Sequence, residues 1–245
     1  MLKEFKVDLH IHTCLSPCGD LKMLPTVIIK QAKKRNLNVI GICDHNSAEN
    51  VEAVEKAGER EGLQVLGGLE ITSREEVHIL AFFNDINLQE IQNLIYENLS
   101  GENNQEAFGE QLVVDQYDKI IGYNKKLLIG ATSLSVDEIV KLVHRLGGLA
   151  IASHIDKETF SIISQLGFIP EGLDLDALEL SPNYELRTPL RTRNYESYGF
   201  PLVTFSDAHY LEDIGRSVTC FVIEEATVDE IGKALLNRDG RMVKR

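Results

Sequence analysis

Six of the seven histidines in this chain stand at the start or end of a strand-like apolar run. They are His10 and His12 in "VDLHIHT", His45 in "GICDHN", His78 in "EEVHILAFF", His154 in "LAIASHID" and His209 in "VTFSDAH". Only His144 falls inside a helical pattern, where contact with solvent or packing accounts for it. Acidic residues accompany the six: Asp8, Asp20, Asp44, Glu70 in "GGLEITS" and Asp207. A fold that suits this sequence has to bring strand ends together.

The order of the runs says how. Strands are expected at 5–11, 38–43, 64–71, 77–83, 149–153, 177–180, 202–205 and 219–223. Helical patterns fall at 25–35, 48–60, 88–99, 136–146, 157–166, 189–198 and 228–236. Ser135 with Glu138, Thr227 with Glu230, and Thr188 before Pro189 give helix starts, and "HRLGG" gives a glycine stop. Strands alternating with helices through short connections predict a largely parallel sheet closed as a barrel, and 245 residues are enough for one such domain, residues 1–245. In a parallel barrel the carboxyl ends of the strands share one rim. His10, His12, His45, Glu70, His154, Asp207 and His209 reach it directly. His78 begins its strand, but too few residues separate it from Glu70 for a parallel crossover. A hairpin through "SREE" therefore returns it to the same rim. Residues 97–132 break the rhythm with a polar stretch bearing weak strand-like pieces, expected to leave the barrel as an insertion, either a hairpin-bearing lid or a surface excursion without a role.

Within "DLHIHT", strict alternation puts Asp8, His10 and His12 on one face and Val7, Leu9 and Ile11 on the other. Each strand-end histidine alone is a weak signal. Nine ionisable groups converging on one rim are a strong one, because burying them unpaired costs on the order of several kcal/mol each, and metal coordination removes that cost.

Composition narrows the partners. Lys and Arg number 25 against 38 Asp and Glu, a formal charge of −13. That balance predicts no long nucleic acid held along a basic track, while leaving a small phosphorylated substrate open. No apolar run reaches the roughly 18–20 residues of a membrane span, and the start lacks the apolar core of a signal peptide, so a cytoplasmic protein without a membrane partner is expected. The four cysteines, Cys14, Cys18, Cys43 and Cys220, show neither a disulfide framework nor paired CxxC spacing.

Taken in order, "DLHIHT" followed by "SPCGD", "GICDHN", the Glu of "GGLEITS", "HILAFF", "IASHID" and "TFSDAH" resemble the PHP domain, the family of metal-dependent phosphoesterases named for polymerase and histidinol phosphatase. The resemblance implies an α/β fold, a distorted (β/α)7 TIM-like barrel of PHP type, with up to three divalent ions. It implies His10, His12 and Asp207 on the first ion, Glu70 bridging to a second held by His78 and His154, and Asp20, His45 and His209 on a third. "SPCGD" is longer than the usual family loop, so Asp20 must fold back to serve. Asp8 and Asp44 are read as carboxylates that orient ligand histidines. Imidazole and carboxylate without thiolate suit zinc, manganese or iron. Three divalent ions against three carboxylates would leave the site positive inside an acidic protein.

The function implied is hydrolysis of a phosphate ester of a small molecule, a monoester or a small diester or nucleotide. Water activated between metals held by His10, His12, Glu70 and Asp207 would attack phosphorus. Arg187, in "SPNYELRTPLRTRN", is the candidate phosphate clamp. Two alternatives share the site: an amidohydrolase-like or carboxylic-ester hydrolase, and a regulatory module that binds metal without catalysis.

Overall fold

Apolar runs become strands and amphipathic runs become helices in the computed structural model, which describes residues 1–182, 184 and 195–244. The strands are β1 (Lys3–Ile11), β2 (Val39–Ile42), β3 (Gln64–Thr72), β4 (His78–Phe82), β5 (Leu112–Val114), β6 (Ile120–Tyr123), β7 (Leu149–Ala152), β8 (Ala177–Leu180), β9 (Leu202–Thr204), β10 (Thr219–Ile223) and β11 (Met242–Lys244). The helices are α1 (Pro25–Lys34), α2 (Val51–Glu61), α3 (Asp85–Asn98), α4 (Gln105–Phe108), α5 (Val136–Arg145), α6 (Ile162–Leu166) and α7 (Val228–Leu235). No helix among the described residues is long and apolar enough to cross a membrane.

The main sheet runs β11–β10–β1–β2–β3–β4–β7–β8–β9. Neighbours are parallel from β1 to β3 and from β7 to β9, and β4 is antiparallel to both of its partners. Thr72 stands opposite His78 in the β3–β4 hairpin, so the histidine returns to the rim that carries Glu70.

Closure is shared by two segments. β10 pairs with the first half of β1, from Lys3 to Val7, leaving the second half open. There the chain leaving β9 docks: Ala208 N donates to His10 O at 2.9 Å and His12 N donates to Ala208 O at 3.0 Å. Below, the Thr219 hydroxyl of β10 accepts from Thr204 N of β9 at 2.9 Å and donates to Thr204 O at 3.0 Å. Seven strands thus enclose a distorted barrel, with β10 wedged at its lower seam. Inside, the Phe82 ring lies against Gly41 and Gly68, where a Cβ would fall 2.8 and 2.7 Å from ring atoms. The ring fills the barrel beneath the rim.

Strict alternation fails in β1. The β1–β2 register slips between Asp8 and Ile11, where one strand advances three residues and the other two, the mark of a β-bulge. Val7 and Leu9 pack inside with Val39 and Cys43, whereas Ile11 packs outside with Ile40 and Ile42 against α1 and α2. His10 and His12 still reach one place, but Asp8 parts from them. Its carboxylate accepts from Ser206 N at 3.0 Å and Gly215 N at 2.8 Å, tying β1 to the segment that carries Asp207 and His209.

The polar excursion does contain a hairpin, β5–β6. It is fastened to the loops after β1 and β2: Asn50 donates to Leu112 O and accepts from Val114 N, and Asn46 donates to Leu128 O and Gly130 O.

His144 ties α5 to the β7–β8 pair from outside the barrel. Its Nε2 lies 2.9 Å from Asp176 Oδ2, which also accepts from Ala150 N. Asp176 raises the imidazole pKa above its ordinary 6.5. Stability from this pair is therefore full below the unfolded value and lost as pH rises through the raised folded value. Thermal unfolding from pH 6 to 9 should show a decline in the wild type that His144→Gln flattens; equal slopes would remove the pair from the account.

Candidate metal centre

The functional side chains stand on or just beyond the last residues of their strands, except His78, which is the first residue of β4. His45, on the extension of β2, and Glu70, near the end of β3, sit side by side, joined by Asn46 N to Glu70 O at 2.9 Å and Glu70 N to Asp44 O at 3.1 Å. His154 after β7 and Asp207 after β9 hold φ of +29° and +49°. Non-glycine residues rarely adopt such values, and they concentrate where surrounding structure forces them for a functional purpose.

Glu70 is the centre of the assembly. Its carboxylate is 1% exposed, and five imidazoles surround it. Oε1 lies 3.3 Å from His10 Nε2, 3.1 Å from His78 Nδ1 and 3.3 Å from His154 Nε2. Oε2 lies 3.4 Å from His12 Nε2 and 3.2 Å from His45 Nδ1. Asp207 Oδ1 stands 3.3 Å from His10 Nε2 and 3.6 Å from His12 Nε2. His209 stacks on His12 with ring centres 4.1 Å apart. None of this amounts to hydrogen bonding at Glu70: both its oxygens, with His45 Nδ1 and His78 Nδ1, are buried without a well-directed donor or acceptor. Burial at such cost is the signature of groups arranged for something other than one another.

The supporting residues fix which ring nitrogen faces inward. Ser16 Oγ donates to Asp44 Oδ1 at 2.7 Å, so it accepts from His12 Nδ1 at 2.9 Å. Glu179 grips His10 Nδ1 at 2.9 and 3.0 Å. Both assignments follow from the hydrogen-bond network and leave the Nε2 lone pairs of His10 and His12 facing each other at 3.2 Å. Two lone pairs at that distance repel unless a cation lies between them or beside both. The electrostatics agree. Burial opposes charge on His10, but Glu179, Asp207 and Glu70 outweigh it and hold its pKa well above the ordinary 6.5, so positive charge is favoured at this ring. Burial also opposes charge on Glu70 and Asp207, yet the imidazoles facing them, with Lys157 beside Asp207, hold both well below the usual carboxylate range. Burial drives His45, His78 and His209 down, His209 to about 4, so these rings are neutral donors at pH 7. Imidazole and carboxylate ligands so preset fit divalent zinc, manganese or iron.

The structure therefore gathers His10, His12, His45, Glu70, His78, His154, Asp207 and His209 into one cage. Asp20 is brought to its edge: its N donates to His209 O at 2.9 Å, while its carboxylate turns to accept from Lys22 N. Arg187 lies outside the described residues. Asp44 does orient a histidine, His12, through Ser16, whereas Asp8 touches no imidazole ring. Cys43 lies within reach of His10 and His12, but burial pushes its thiol pKa well above the ordinary value, and it donates to Leu9 O. Two residues escaped the sequence reading. Glu179 is a carboxylate inside the apolar run "ALEL", the same anomaly as Glu70 in "GLEI". Lys157, in "SHIDKE", places its ammonium on Asp207 Oδ2.

Comparisons with known proteins point the same way. A model of the PHP domain matches residues 8–172, and a PHP-associated model matches residues 192–239. A 5′-3′ exoribonuclease of Haemophilus influenzae is 31% identical over 78 residues, 31% of this chain and 27% of that protein. A phosphoribosyl 1,2-cyclic phosphate 1,2-diphosphodiesterase of Eggerthella lenta is 31% identical over 78 residues, 30% of this chain and 29% of its own length. The lesion-specific endonuclease Q of Pyrococcus furiosus superposes with a TM-score of 0.74 at 20% identity, covering 98% of this chain and 58% of its own. The complex of endonuclease Q with a 27-mer duplex carrying an abasic lesion at the active site gives 0.72 at 19% identity, with the same coverage. This chain thus spans less than two thirds of each of these proteins.

One expectation is overturned. The charge of −13 predicts no long nucleic acid, yet a protein whose fold spans nearly all of this chain takes a DNA duplex at its active site. Net charge sums the whole surface, whereas contact with a phosphate backbone is decided by the field at the rim.

Replacing Glu179 by Gln should free His10 to rotate and lower metal affinity about 10- to 100-fold, read by competition with a chromogenic chelator, with unchanged circular dichroism. Wild-type affinity in that variant would exclude the orienting role.

Proposed function

Because the chain belongs to the PHP-domain family, we infer that it is a metal-dependent phosphoesterase working at the carboxyl rim of its barrel. The observation that carries this reading is Glu70: a fully buried carboxylate whose two oxygens address different imidazoles, Oε1 facing His10, His78 and His154 and Oε2 facing His12 and His45. Such a group is suited to bridge two cations. His10, His12 and Asp207 would hold one ion with Glu70, and His78 and His154 a second. His45 and His209 would hold a third, with Asp20 once its carboxylate turns from Lys22 N. When bound, divalent ions supply Lewis acidity toward a phosphoryl oxygen and acidify water.

The remaining work falls to the chain. Glu179 and the Asp44–Ser16 pair hold His10 and His12 in one tautomer, so their Nε2 atoms stay directed inward. Lys157 keeps a positive charge beside Asp207, since the neighbouring carboxylates outweigh its partial burial. Residues 1–245 act as one barrel in this reading, and residues 97–132 brace the loops after β1 and β2. The substrates are phosphate esters that can reach an exposed rim, and nucleotide phosphates, free or within a strand, are included. The exoribonuclease and diphosphodiesterase relatives support that scope.

Elemental analysis of protein purified without chelators, followed by a panel of phosphomonoesters, phosphodiesters and carboxylic esters, tests the reading. Phosphoester turnover is expected to stop on chelation and return with manganese or zinc; carboxylic-ester turnover alone would contradict it. Glu70→Gln should lower occupancy at two metal positions together and abolish turnover. Full activity in that variant would remove the bridge.

A further inference from the structure

The loop between β7 and α6 carries two side chains that metal binding does not use. Helix α6 begins only at Ile162, because Ser161 caps it by accepting from Ser164 N at 3.0 Å. The preceding residues, expected from the sequence to be helical, instead form a tight loop over the cage. Asp156 anchors it by accepting from Ser181 N at 2.7 Å and from the Ser181 hydroxyl. Ser161 Oγ closes it by donating to Lys157 O at 2.8 Å.

Phe160 in this loop holds a φ of +57°, a conformation that bulky side chains rarely take. Its carbonyl accepts from His78 N at 2.9 Å, and its ring stacks on the His78 imidazole, 4.7 Å between centres and 14° from parallel. The residue is nonetheless 38% exposed. An aromatic ring held in a strained backbone, fixed against a cage histidine and left open to solvent, is unusual for mere packing. Lys157, on the same loop, is 31% exposed at its side chain. Among the described residues it is the one Lys or Arg in contact with the cage, and its ammonium has three donors of which Asp207 occupies one.

We propose that this loop is a nucleotide subsite in which Lys157 binds an oxygen of the phosphate and Phe160 stacks on the base. The chemistry required of the ligand is a phosphate joined by a short polar tether to a flat π-system, which is a nucleoside 5′-phosphate, free or at the end of a strand. The inference rests on the phosphoester reading only in seating the phosphate at the metal cage. Stacking on an aromatic side chain contributes enough to change affinity by roughly 5- to 150-fold and tolerates any base.

The test is calorimetric binding to the manganese-loaded protein of the non-hydrolysable phosphonate analogues of AMP and of ribose 5-phosphate. Binding is read apart from turnover, so failure of the hydrolase reading in the ester panel is a separate result. The AMP analogue should bind about tenfold tighter or more. Phe160→Ala should abolish the difference while leaving the ribose ligand and metal content unchanged, and Phe160→Trp should keep it. Lys157→Gln should weaken both ligands by the same factor. A 5′-phosphorylated trinucleotide phosphonate separates the two sources: tighter binding than the AMP analogue supports a strand end, weaker binding a free nucleotide. Equal affinities in the wild type, a difference that survives Phe160→Ala, loss of metal in that variant, or no binding of either analogue would overturn the proposal.

Discussion

A glutamate carboxylate buried among five imidazoles governs the architecture of this protein. Glu70 lies where water does not reach and where no N–H is aimed well enough to satisfy it. In the low dielectric of a barrel interior such a group is costly, on the order of several kcal/mol, unless a cation shares its oxygens. The bulge in β1, the left-handed residues His154 and Asp207, and the docking of Ala208 against β1 each bend the chain away from its easiest path. All of them deliver nitrogen or oxygen atoms to the cage around that carboxylate. Local strain and buried charge are thus one design, with the cage as its purpose.

The surrounding layer shows how the cage keeps its shape. Glu179 holds one ring of the pair His10 and His12, and the Ser16–Asp44 relay holds the other. Asp8, set apart by the bulge, ties β1 to the segment bearing Asp207 and His209 through Ser206 N and Gly215 N. The polar excursion reaches the same neighbourhood through Asn46 and Asn50. A protein of net charge −13 can concentrate cations here because its carboxylates are placed to hold them, so its overall charge says little about what approaches the rim.

Much of this was legible before any coordinates. Placing histidines at strand ends forced a rim, and the short gap between Glu70 and His78 forced the hairpin, which pairs Thr72 with His78. What periodicity could not show was the bulge, because one extra residue in a strand leaves no trace in composition while reversing the face of every residue before it. Glu179 was overlooked since a single carboxylate in "ALEL" reads as a strand residue until its histidine partner, 169 positions away, is known. Lys157 and Phe160 were hidden in an expected helix because the Ser161 cap, with only a serine three residues on, is a faint start signal.

Anomalous diffraction from crystals of the protein grown with manganese tests the central claim most directly. The account predicts discrete anomalous peaks inside the cage, at least one beside the Nε2 atoms of both His10 and His12 and at least one sharing a Glu70 oxygen. Crystals diffracting well, with the side chains placed as described but no anomalous density among them, would contradict it.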